Sequence, residues 1–284
     1  MMLKVNQLTK SYKSFSFGPI DIEVEQGAIV ALVGPNGSGK STFFRLLMNQ
    51  VHEDQGVITW NNENVRYKET SFKQSVGYVG IGLYNVFEQL SIKELTSFVS
   101  YWYSNWDHEW YESLVERYEI DLSEKYRNCS TGTKKKIDFI LAIAHHPSLL
   151  LLDEPSSGID LISQRKMKED LMDYMESGAR SIIIATHQQD EIKQLSDYIW
   201  FINQGQIIDQ FEKDELQECW ARIWISSLPK QLEDHPNVKS ISHAPLQIVT
   251  DHLPNVEEIL QEKDVQVTHR QRLELDEVME YYFE

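Results

Sequence analysis

Runs of consecutive apolar residues, each about the length of one strand, alternate with helix-like stretches from the start of the chain to about residue 210. Three of these runs, Ile29–Val33, residues 149–152 and Ser181–Ala185, are bounded by turn or polar residues, as expected for strands buried on both faces. The stretches between them predict helices over residues 91–103, 110–118, 134–145 and 161–176. The first of these helices opens with Ser91-x-x-Glu94, a capping box. The alternation predicts an α/β domain with a largely parallel sheet.

Shorter elements follow after about residue 215. The pattern predicts the order β-α-β-β-α-β, which is a ferredoxin-like arrangement, and then a last helix with Leu275, Val278, Met279 and Tyr282 on one face. Residues 215–284 contain 6 Lys or Arg and 14 Asp or Glu. We therefore expect one domain over residues 1–214 and a small acidic α+β domain over residues 215–284. The predicted strands are residues 221–226, 238–242, 247–250 and 265–269, and the predicted helices are residues 229–234 and 255–262.

The amino-acid composition excludes some classes of function. The 284 residues are 41% hydrophobic, which is enough for a real core, and their net charge is −17. So acidic a chain is a poor nucleic-acid binder, because phosphate contacts need clustered Lys and Arg. No apolar run approaches the roughly 20 residues that span a bilayer, and no apolar leader follows Met1, so we expect a soluble chain without direct membrane insertion. Cys129 and Cys219 are too few and too far apart for a disulfide or zinc framework.

Residues 34–41, Gly-Pro-Asn-Gly-Ser-Gly-Lys-Ser, have the spacing of a phosphate-binding loop. Glycines allow main-chain N–H groups to converge on phosphate oxygens, and the helix that follows adds the positive field of its N-terminus. Lys40 would contribute a charge to the β- and γ-phosphates, and the Ser41 hydroxyl would be a ligand of Mg²⁺. The loop lies between an apolar strand and a predicted helix, which is the context such a site requires.

A second strand that ends in carboxylates would complete the site. Residues 149–152 are four leucines, followed by Asp153 and Glu154. We expect Asp153 to hold Mg²⁺ through water, and Glu154 to accept a proton from the attacking water or to orient it.

From residue 3 to residue 212 the chain resembles the ATP-binding subunits of ABC transporters, with the motifs in family order. The resemblance implies a P-loop NTPase cassette with a mostly parallel sheet, an antiparallel β part and a helical subdomain at about residues 84–146. It implies catalytic roles for Lys40, Glu154 and the switch histidine His187, which follows the strand Ser181–Ala185. It also implies that ATP is bound by Tyr12, which stacks on adenine, by the loop residues Gly34, Pro35, Asn36, Gly37, Ser38, Gly39, Lys40, Ser41 and Thr42, by the signature residues Ser130 and Gly132, and by Asp160 of the D-loop.

The signature departs from the family pattern. Where the family has Leu-Ser-Gly-Gly-Gln, which binds the γ-phosphate of the opposite subunit in a head-to-tail dimer, this chain has Cys129-Ser-Thr-Gly-Thr133. We expect Thr131 to be unfavourable, because a β-branched residue resists positive φ and would crowd the phosphate. The Lys134-Lys-Lys136 cluster lies beside the expected anion, and its alternative role is a solvated helix face.

A second departure is Ile81, which stands where the family usually has a glutamine that contacts Mg²⁺ and links the site to the membrane subunit. Asn85 and Gln89 are the nearest polar residues and are displaced from that position. Since the phosphate loop, the carboxylates and the histidine are all present, we expect a working ATPase, even if a slow one.

The resemblance also implies partners for this chain. Residues 103–107 and the lysine cluster are similar to a bacterial subgroup near the YtrB-type subunits. That resemblance implies a separate multi-helix membrane subunit, export of antimicrobial peptides or immunity to them, and a location on the inner face of the cell membrane. The aromatic residues of 84–118 correspond to the helical subdomain, whose groove receives a helix of the membrane subunit. For most of these residues we favour a core role over a docking role.

Two alternatives to the transporter ATPase stay open: a soluble non-transport ABC ATPase, and a weakly active regulatory cassette in a heterodimer. The sequence does not distinguish a homodimer from a heterodimer with another cassette. For the C-terminal domain we favour a dimer contact through the Leu275–Tyr282 face, with packing against the cassette as the alternative.

Overall fold

The computed structural model describes residues 2–176 and 179–283, and it divides the chain into two compact units, Met1–Gln210 and Phe211–Glu284. The division falls a few residues before the predicted domain boundary. Each unit has its own cluster of buried apolar side chains.

A six-stranded sheet forms the centre of the first unit. Strands β3, β8 and β7 lie side by side in its middle, and every residue of these three strands is buried. β3 pairs in parallel with β8 and β9, and β7 pairs in parallel with β8 and β6. Burial on both faces explains why these strands are continuous apolar runs in the sequence. The order is β10-β9-β3-β8-β7-β6, with β3 at Ile29–Val33, β6 at Val76–Val79, β7 at Leu149–Asp153, β8 at Ser181–Ala185, β9 at Tyr198–Asn203 and β10 at Gln206–Glu212.

A second sheet supplies the antiparallel part that the sequence predicts. Its strand order is β2-β1-β4-β5, and β1 pairs antiparallel with both β2 and β4. Phe17, Phe43 and Phe44 lie in the core that this sheet shares with the helix after β3. The strands are β1 (Leu3–Ser11), β2 (Ser16–Val24), β4 (Gln55–Trp60) and β5 (Glu63–Asn64).

The helices predicted at residues 91–103, 110–118, 134–145 and 161–176 and the helix after the phosphate loop are all present, with different ends, whereas the short helices Glu69–Gln74 and Gln189–Leu195 were not predicted. Ser91 caps the third helix, and both hydrogen bonds of the predicted capping box are present. The helix predicted at residues 134–145 begins three residues earlier, because Ser130 is its N-cap and accepts a hydrogen bond from the Thr133 N–H. The helices are α1 (Lys40–Leu47), α2 (Glu69–Gln74), α3 (Ile92–Ser100), α4 (His108–Arg117), α5 (Thr131–Ile143), α6 (Leu161–Met175) and α7 (Gln189–Leu195).

Helix α5 carries a buried carboxyl group, that of Asp138, which accepts a hydrogen bond from the Tyr126 hydroxyl at 2.9 Å. Burial raises the pKa of Asp138 to about 7, against the hydrogen bond from Tyr126 and the charges of Lys135 and Lys134. The folded-state pKa therefore lies above the unfolded-state value. Protonation of Asp138 stabilises the fold at acidic pH, and this contribution is lost as the pH rises through about 7.

An Asp138→Asn variant resembles the protonated form at every pH. We expect its free energy of unfolding, relative to that of the wild type, to be about 3 kcal/mol higher at pH 8 than at pH 5, because the wild type loses stability as the pH rises toward 7. Urea unfolding at the two pH values measures this difference, and Asp173→Asn on the exposed face of α6 is the control. A variant that is destabilised equally at both pH values would show that Asp138 is ionised in the folded chain.

The second unit confirms the predicted β-α-β-β-α-β order. Its four-stranded sheet has the order β12-β13-β11-β14, and its neighbouring strands pair antiparallel, as in a ferredoxin-like fold. One helix, α8 (Lys213–Cys219), precedes the sheet. The edge strand β14 lies two to three residues later than predicted. The other elements are β11 (Ala221–Ile225), α9 (Lys230–Glu233), β12 (Val238–His243), β13 (Leu246–Thr250), α10 (Leu253–Glu262), β14 (Val267–Arg272) and α11 (Leu275–Phe283).

The apolar face of α11 is not free for a dimer contact, which corrects our expectation. Leu275 and Val278 are buried, and the Tyr282 ring lies 5.7 Å from the Trp220 ring of the same unit. The face is therefore already covered within one chain, without a second subunit.

The aromatic segment of the helical subdomain is divided between core and surface. Tyr111 and Tyr118 are buried, as we favoured for most of the set. Phe98, Tyr101 and Trp102, at the C-terminal end of α3 and just after it, are instead 43%, 83% and 62% exposed. The core interpretation is wrong for these three rings.

Candidate functional site

The order β3-β8-β7 explains why distant motifs meet. The carboxyl ends of parallel neighbours lie at one edge of a sheet, so the segments after these strands are adjacent there. The segment after β3 is the phosphate loop, the one after β8 contains His187, and β7 ends in Asp153 with Glu154 directly after it.

The phosphate loop is shaped by its glycines and by its lysine. Gly37 and Gly39 have φ of 81° and 115°, which favour glycine, and no atom lies within 4 Å of the position that a Cβ of Gly37 would occupy. Lys40 Nζ donates to the carbonyl oxygens of Gly34 at 2.7 Å and Pro35 at 3.1 Å. Burial lowers the pKa of Lys40, and the carboxylates of Glu154 and Asp153 act against that shift.

A cavity of about 240 Å³ opens between this loop and the carboxylates. The polar side chains in its lining, the open space at Gly37 and the Lys40 ammonium group fit an anion with several oxygens. The Ser38 hydroxyl at the loop is buried and has no hydrogen-bond partner within the described residues, so it is available to a ligand. The lining residues are Phe15, Asn36, Gly37, Gly39, Lys40, Ser41, Thr42, Ile81, Asp153 and Glu154.

Two oxygen donors suited to Mg²⁺ meet at the cavity wall. The Ser41 hydroxyl donates to Asp153 Oδ2 at 2.7 Å. Burial raises the pKa of Asp153, which the Ser41 hydrogen bond and the Lys135 charge oppose. Hard oxygen ligands of this kind fit a Mg²⁺ ion that keeps several waters and binds substrate phosphates.

Glu154 is held in an unusual conformation. Its φ of 51° lies in the left-handed region, and its N–H donates to the Ala185 carbonyl oxygen at 2.8 Å. His187 Nδ1 lies 2.9 Å from a carboxylate oxygen of Glu154, although the His187 side chain is 67% exposed. The structure thus brings the predicted base and the predicted switch histidine into contact.

Phe15 is an aromatic residue that the sequence interpretation missed. Its ring lines the cavity at the carboxylates and also a second one, of about 470 Å³, formed with residues 35–38 of the loop and with Asn203 and Gln204. The Tyr12 ring, predicted to stack on adenine, lies 6.3 Å from the Phe15 ring and is 42% exposed. Both residues belong to the β1–β2 hairpin, but only Phe15 lines the two cavities at the phosphate loop, and Tyr12 lines neither.

The signature residues form the first turn of α5. Thr131 is the first residue of this helix, so its backbone is helical and the expected conflict with positive φ is wrong. Packing explains the glycine at position 132, because a Cβ there would lie 2.9 Å from the Gly158 carbonyl oxygen of the D-loop. The signature and the D-loop of one chain are therefore in close contact.

The lysine cluster is neither a free basic patch nor a solvated face, because each lysine has a partner within the chain. Lys134 Nζ lies 5.0 Å from the centre of the Tyr126 ring. Lys135 donates to main-chain carbonyls at the end of β7, and Lys136 forms an ion pair with Asp160 at 3.1 Å.

Asp160 serves as the N-cap of α6. Its carboxylate accepts from the Ser163 N–H at 2.9 Å, and the hydrogen bonds from Ser163 together with that from Lys136 hold its pKa well below the ordinary range. The next two residues, Leu161 and Ile162, are 82% and 70% exposed. Adjacent exposed aliphatic side chains are typical of a surface that a partner covers.

Ile81, in the position of the family glutamine, is 75% exposed and lines the cavity beside Asp153 and Glu154. Gln89 is engaged elsewhere, since its Oε1 accepts from Arg127 at 2.9 Å. Asn85 begins a short 3₁₀ turn, with its amide nitrogen near Gly82. Neither residue replaces the missing amide at the cavity.

Both cysteines are free. Cys129 is 7% exposed, and burial raises the pKa of its thiol to about 11. Burial also raises the pKa of Cys219. Within the described residues, no helix is long and apolar enough to cross a membrane.

Comparisons with known proteins give consistent results. The family described as "ABC transporter" matches residues 17–157. The ABC transporter ATP-binding protein YtrB of Bacillus subtilis is 30% identical over 224 residues, which are 78% of this chain and 76% of that protein. The lantibiotic transport ATP-binding protein SrtF of Streptococcus pyogenes is 28% identical, covering 75% of this chain and 92% of its own. The sulfate/thiosulfate import ATP-binding protein CysA of Xylella fastidiosa is 27% identical, and the match covers 76% of this chain and 64% of that protein.

Solved structures share the fold. The cassette MJ0796, solved as a dimer in a post-hydrolysis state with ADP and Pi, has a TM-score of 0.66 and 18% identity, and the match covers 74% of this chain and 98% of that one. The phosphate loop and the β7 carboxylates lie at one edge of the sheet, and a 30% identical relative matches most of the chain. The chain therefore belongs to the ATP-binding cassette family of ABC transporters, whose members are ATPases.

Proposed function

We propose that the chain is the subunit that hydrolyses ATP for a separate membrane subunit, and that this transporter exports amphipathic peptides or confers immunity to them. The observation that carries the ATPase part is the single cavity lined by Lys40, Ser41, Asp153 and Glu154, with His187 on the Glu154 carboxylate. The name of SrtF, which concerns lantibiotic transport, supports peptide export. The name of CysA, which concerns import, supports the opposite direction of transport. The direction of transport is therefore the first point to test.

Each residue of the cavity has a distinct task in this proposal. The loop N–H groups and Lys40 bind the phosphates, and the Phe15–Tyr12 pair stacks on the base. Glu154 takes a proton from the attacking water, and His187 orients the Glu154 carboxylate. Ser41 and Asp153 would hold Mg²⁺, which when bound neutralises charge on the phosphoryl oxygens.

Two cassettes would close on two ATP molecules. Ser130 and Gly132 lie at the N-terminus of α5, where the helix dipole and free N–H groups favour an anion supplied by the other subunit. The exposed Leu161 and Ile162 beside the D-loop supply apolar area for the same contact. The dimeric state of MJ0796 supports this arrangement. The mass of a hydrolysis-blocked variant in Mg-ATP distinguishes a second copy of this chain from a different cassette.

An aromatic groove on the helical subdomain is the proposed docking site of the membrane subunit. A cavity of about 240 Å³ is lined by Tyr84, Phe98, Trp102 and Leu141, and Tyr101 lies beside it with 83% of its surface exposed. Exposed aromatic rings around an apolar groove are the usual anchor points for a partner helix. A chain so docked would lie on the cytoplasmic face of the membrane without entering it.

Trp102→Asp should disrupt docking and leave the phosphate cavity intact. We expect the fraction of chain that co-sediments with inverted membrane vesicles of the native host to fall about tenfold, because an interface aromatic residue contributes about 2 kcal/mol or more. ATP turnover of the purified variant should stay near the wild-type rate. Met172→Asp, at an exposed position of α6, is the matched control. Equal co-sedimentation of Trp102→Asp and the wild type would place the docking site elsewhere.

The transport proposal is tested in the native host. A strain without the chain should become more sensitive to lantibiotic-type peptides, and the wild-type chain should restore resistance whereas Lys40→Ala should not. Unchanged sensitivity together with reduced uptake of a solute would instead identify an importer. A purified chain that binds ATP but hydrolyses it no faster than Lys40→Ala would favour the regulatory cassette.

A further inference from the structure

Lys135 links the signature helix to the catalytic end of β7. Its Nζ donates hydrogen bonds to the main-chain carbonyl oxygens of Asp153 at 3.2 Å and Glu154 at 2.5 Å. A charged donor makes stronger hydrogen bonds than a neutral one, and here a single donor group reaches two consecutive carbonyls. The contact spans 18 and 19 residues of sequence, and it fixes the peptide between the metal ligand and the proposed base.

Glu154 needs such support because of its backbone. A φ of 51° is unfavourable for a residue with a side chain, and it persists only where the surroundings hold it. The Glu154 N–H is held by the Ala185 carbonyl of β8 at 2.8 Å. With the carbonyl held by Lys135, both sides of the residue are fixed, and the carboxylate is left to meet His187.

The charge around Lys135 favours the same arrangement. Asp153, Glu154, Asp138 and Glu191 all interact electrostatically with its ammonium group. A cation among four carboxyl groups reduces their mutual repulsion, and without it Lys40 alone would oppose the charge of Asp153 and Glu154. The neighbouring lysines do not share this position, since Lys134 and Lys136 are directed to Tyr126 and Asp160.

We propose that Lys135 is a positioning residue for Glu154: it fixes the main chain of Asp153 and Glu154 from the first turns of α5, the helix that also carries Ser130 and Gly132. As a consequence, when the signature of one subunit engages the nucleotide of the other, a displacement of α5 also moves Glu154 of the subunit to which that helix belongs. The inference rests on the proposed role of Glu154.

The test compares three variants in steady-state ATP hydrolysis. Lys135→Met keeps the length of the side chain and removes the donors, and we expect its kcat to fall about tenfold with KM and ATP affinity within about threefold of wild type. Lys135→Arg keeps charged donors and should recover most of the rate. Lys166→Met is the matched control, because Lys166 makes the same type of bond, to the Arg117 carbonyl at 2.7 Å, and lies outside the phosphate loop, the signature and the end of β7.

A double mutant separates positioning from general damage. If Lys135 acts through Glu154, then Lys135→Met should cost no further rate in a Glu154→Gln background, measured in single turnovers with labelled ATP. An undiminished tenfold loss in that background, a parallel loss of ATP binding, or a wild-type kcat in Lys135→Met would overturn the proposal. If Lys135→Met does not fold, Lys135→Gln takes its place in the same comparison. If Glu154→Gln itself retains full turnover, that result contradicts the proposed catalytic role of Glu154 and not the contact made by Lys135.

Discussion

Glu154→Gln is expected to hydrolyse ATP about a hundred- to a thousandfold more slowly than the wild type, while it still binds ATP. The amide keeps the shape of the side chain and removes the oxygen that takes the proton. Its contact with His187 and the fixed main chain should place the amide where the carboxylate was. Turnover within tenfold of wild type would show that another group takes the proton. Glu169→Gln, which alters a surface ion pair with Arg117, is the control.

The same variant reports on the signature. With hydrolysis blocked, light scattering should show a doubling of mass in Mg-ATP but not in Mg-ADP, since only ATP supplies a γ-phosphate for Ser130 and Gly132 of the other subunit. Backbone strain at Thr131 does not oppose this closure, because the residue lies in the first turn of α5 with helical φ. A variant that binds ATP but stays monomeric would show that the partner is a different cassette.

Lys40→Ala is expected to abolish turnover, with a loss of about a thousandfold, and to weaken ATP binding at least tenfold. Lys40 is buried beside the loop and also closes it through the Gly34 and Pro35 carbonyls. Its removal therefore takes away both a charge for the phosphates and two hydrogen bonds that shape the loop.

Isothermal titration with ATP and a phosphate-release assay measure the two effects of Lys40→Ala. Lys10→Ala, which breaks a surface ion pair with Asp54, is the matched control and should behave as wild type. Wild-type affinity in Lys40→Ala would mean that the phosphates bind outside the loop.

The central strands and the phosphate site could be predicted from the sequence because local signals define them. Burial on both faces makes β3, β7 and β8 continuous apolar runs, and the loop spacing leaves few other interpretations. The capping box at Ser91 was equally local and is confirmed.

The start of α5 was placed too late because Thr131, Gly132 and Thr133 show no apolar period, although Ser130 had the character of an N-cap. The edge strand β14 was shifted because five of its six residues are exposed and carry no alternation.

Long-range contacts could not be predicted. Which of three consecutive lysines reaches β7 depends on the packing of α5 against the sheet, and the sequence gives no sign of it. The same holds for Phe15 and Tyr12, since the turn of the hairpin decides which ring lines the cavity. The use of the α11 face within its own unit is likewise a tertiary outcome.

The state of the two thiols makes the native chain a convenient background for spectroscopic labels. Maleimides and similar reagents attack the thiolate, and burial raises the pKa of both Cys129 and Cys219 above that of a free thiol. One cysteine introduced at exposed Leu161 would thus react faster than either native thiol. A fluorophore there would show the approach of a second cassette in real time, as each ATP is bound and consumed.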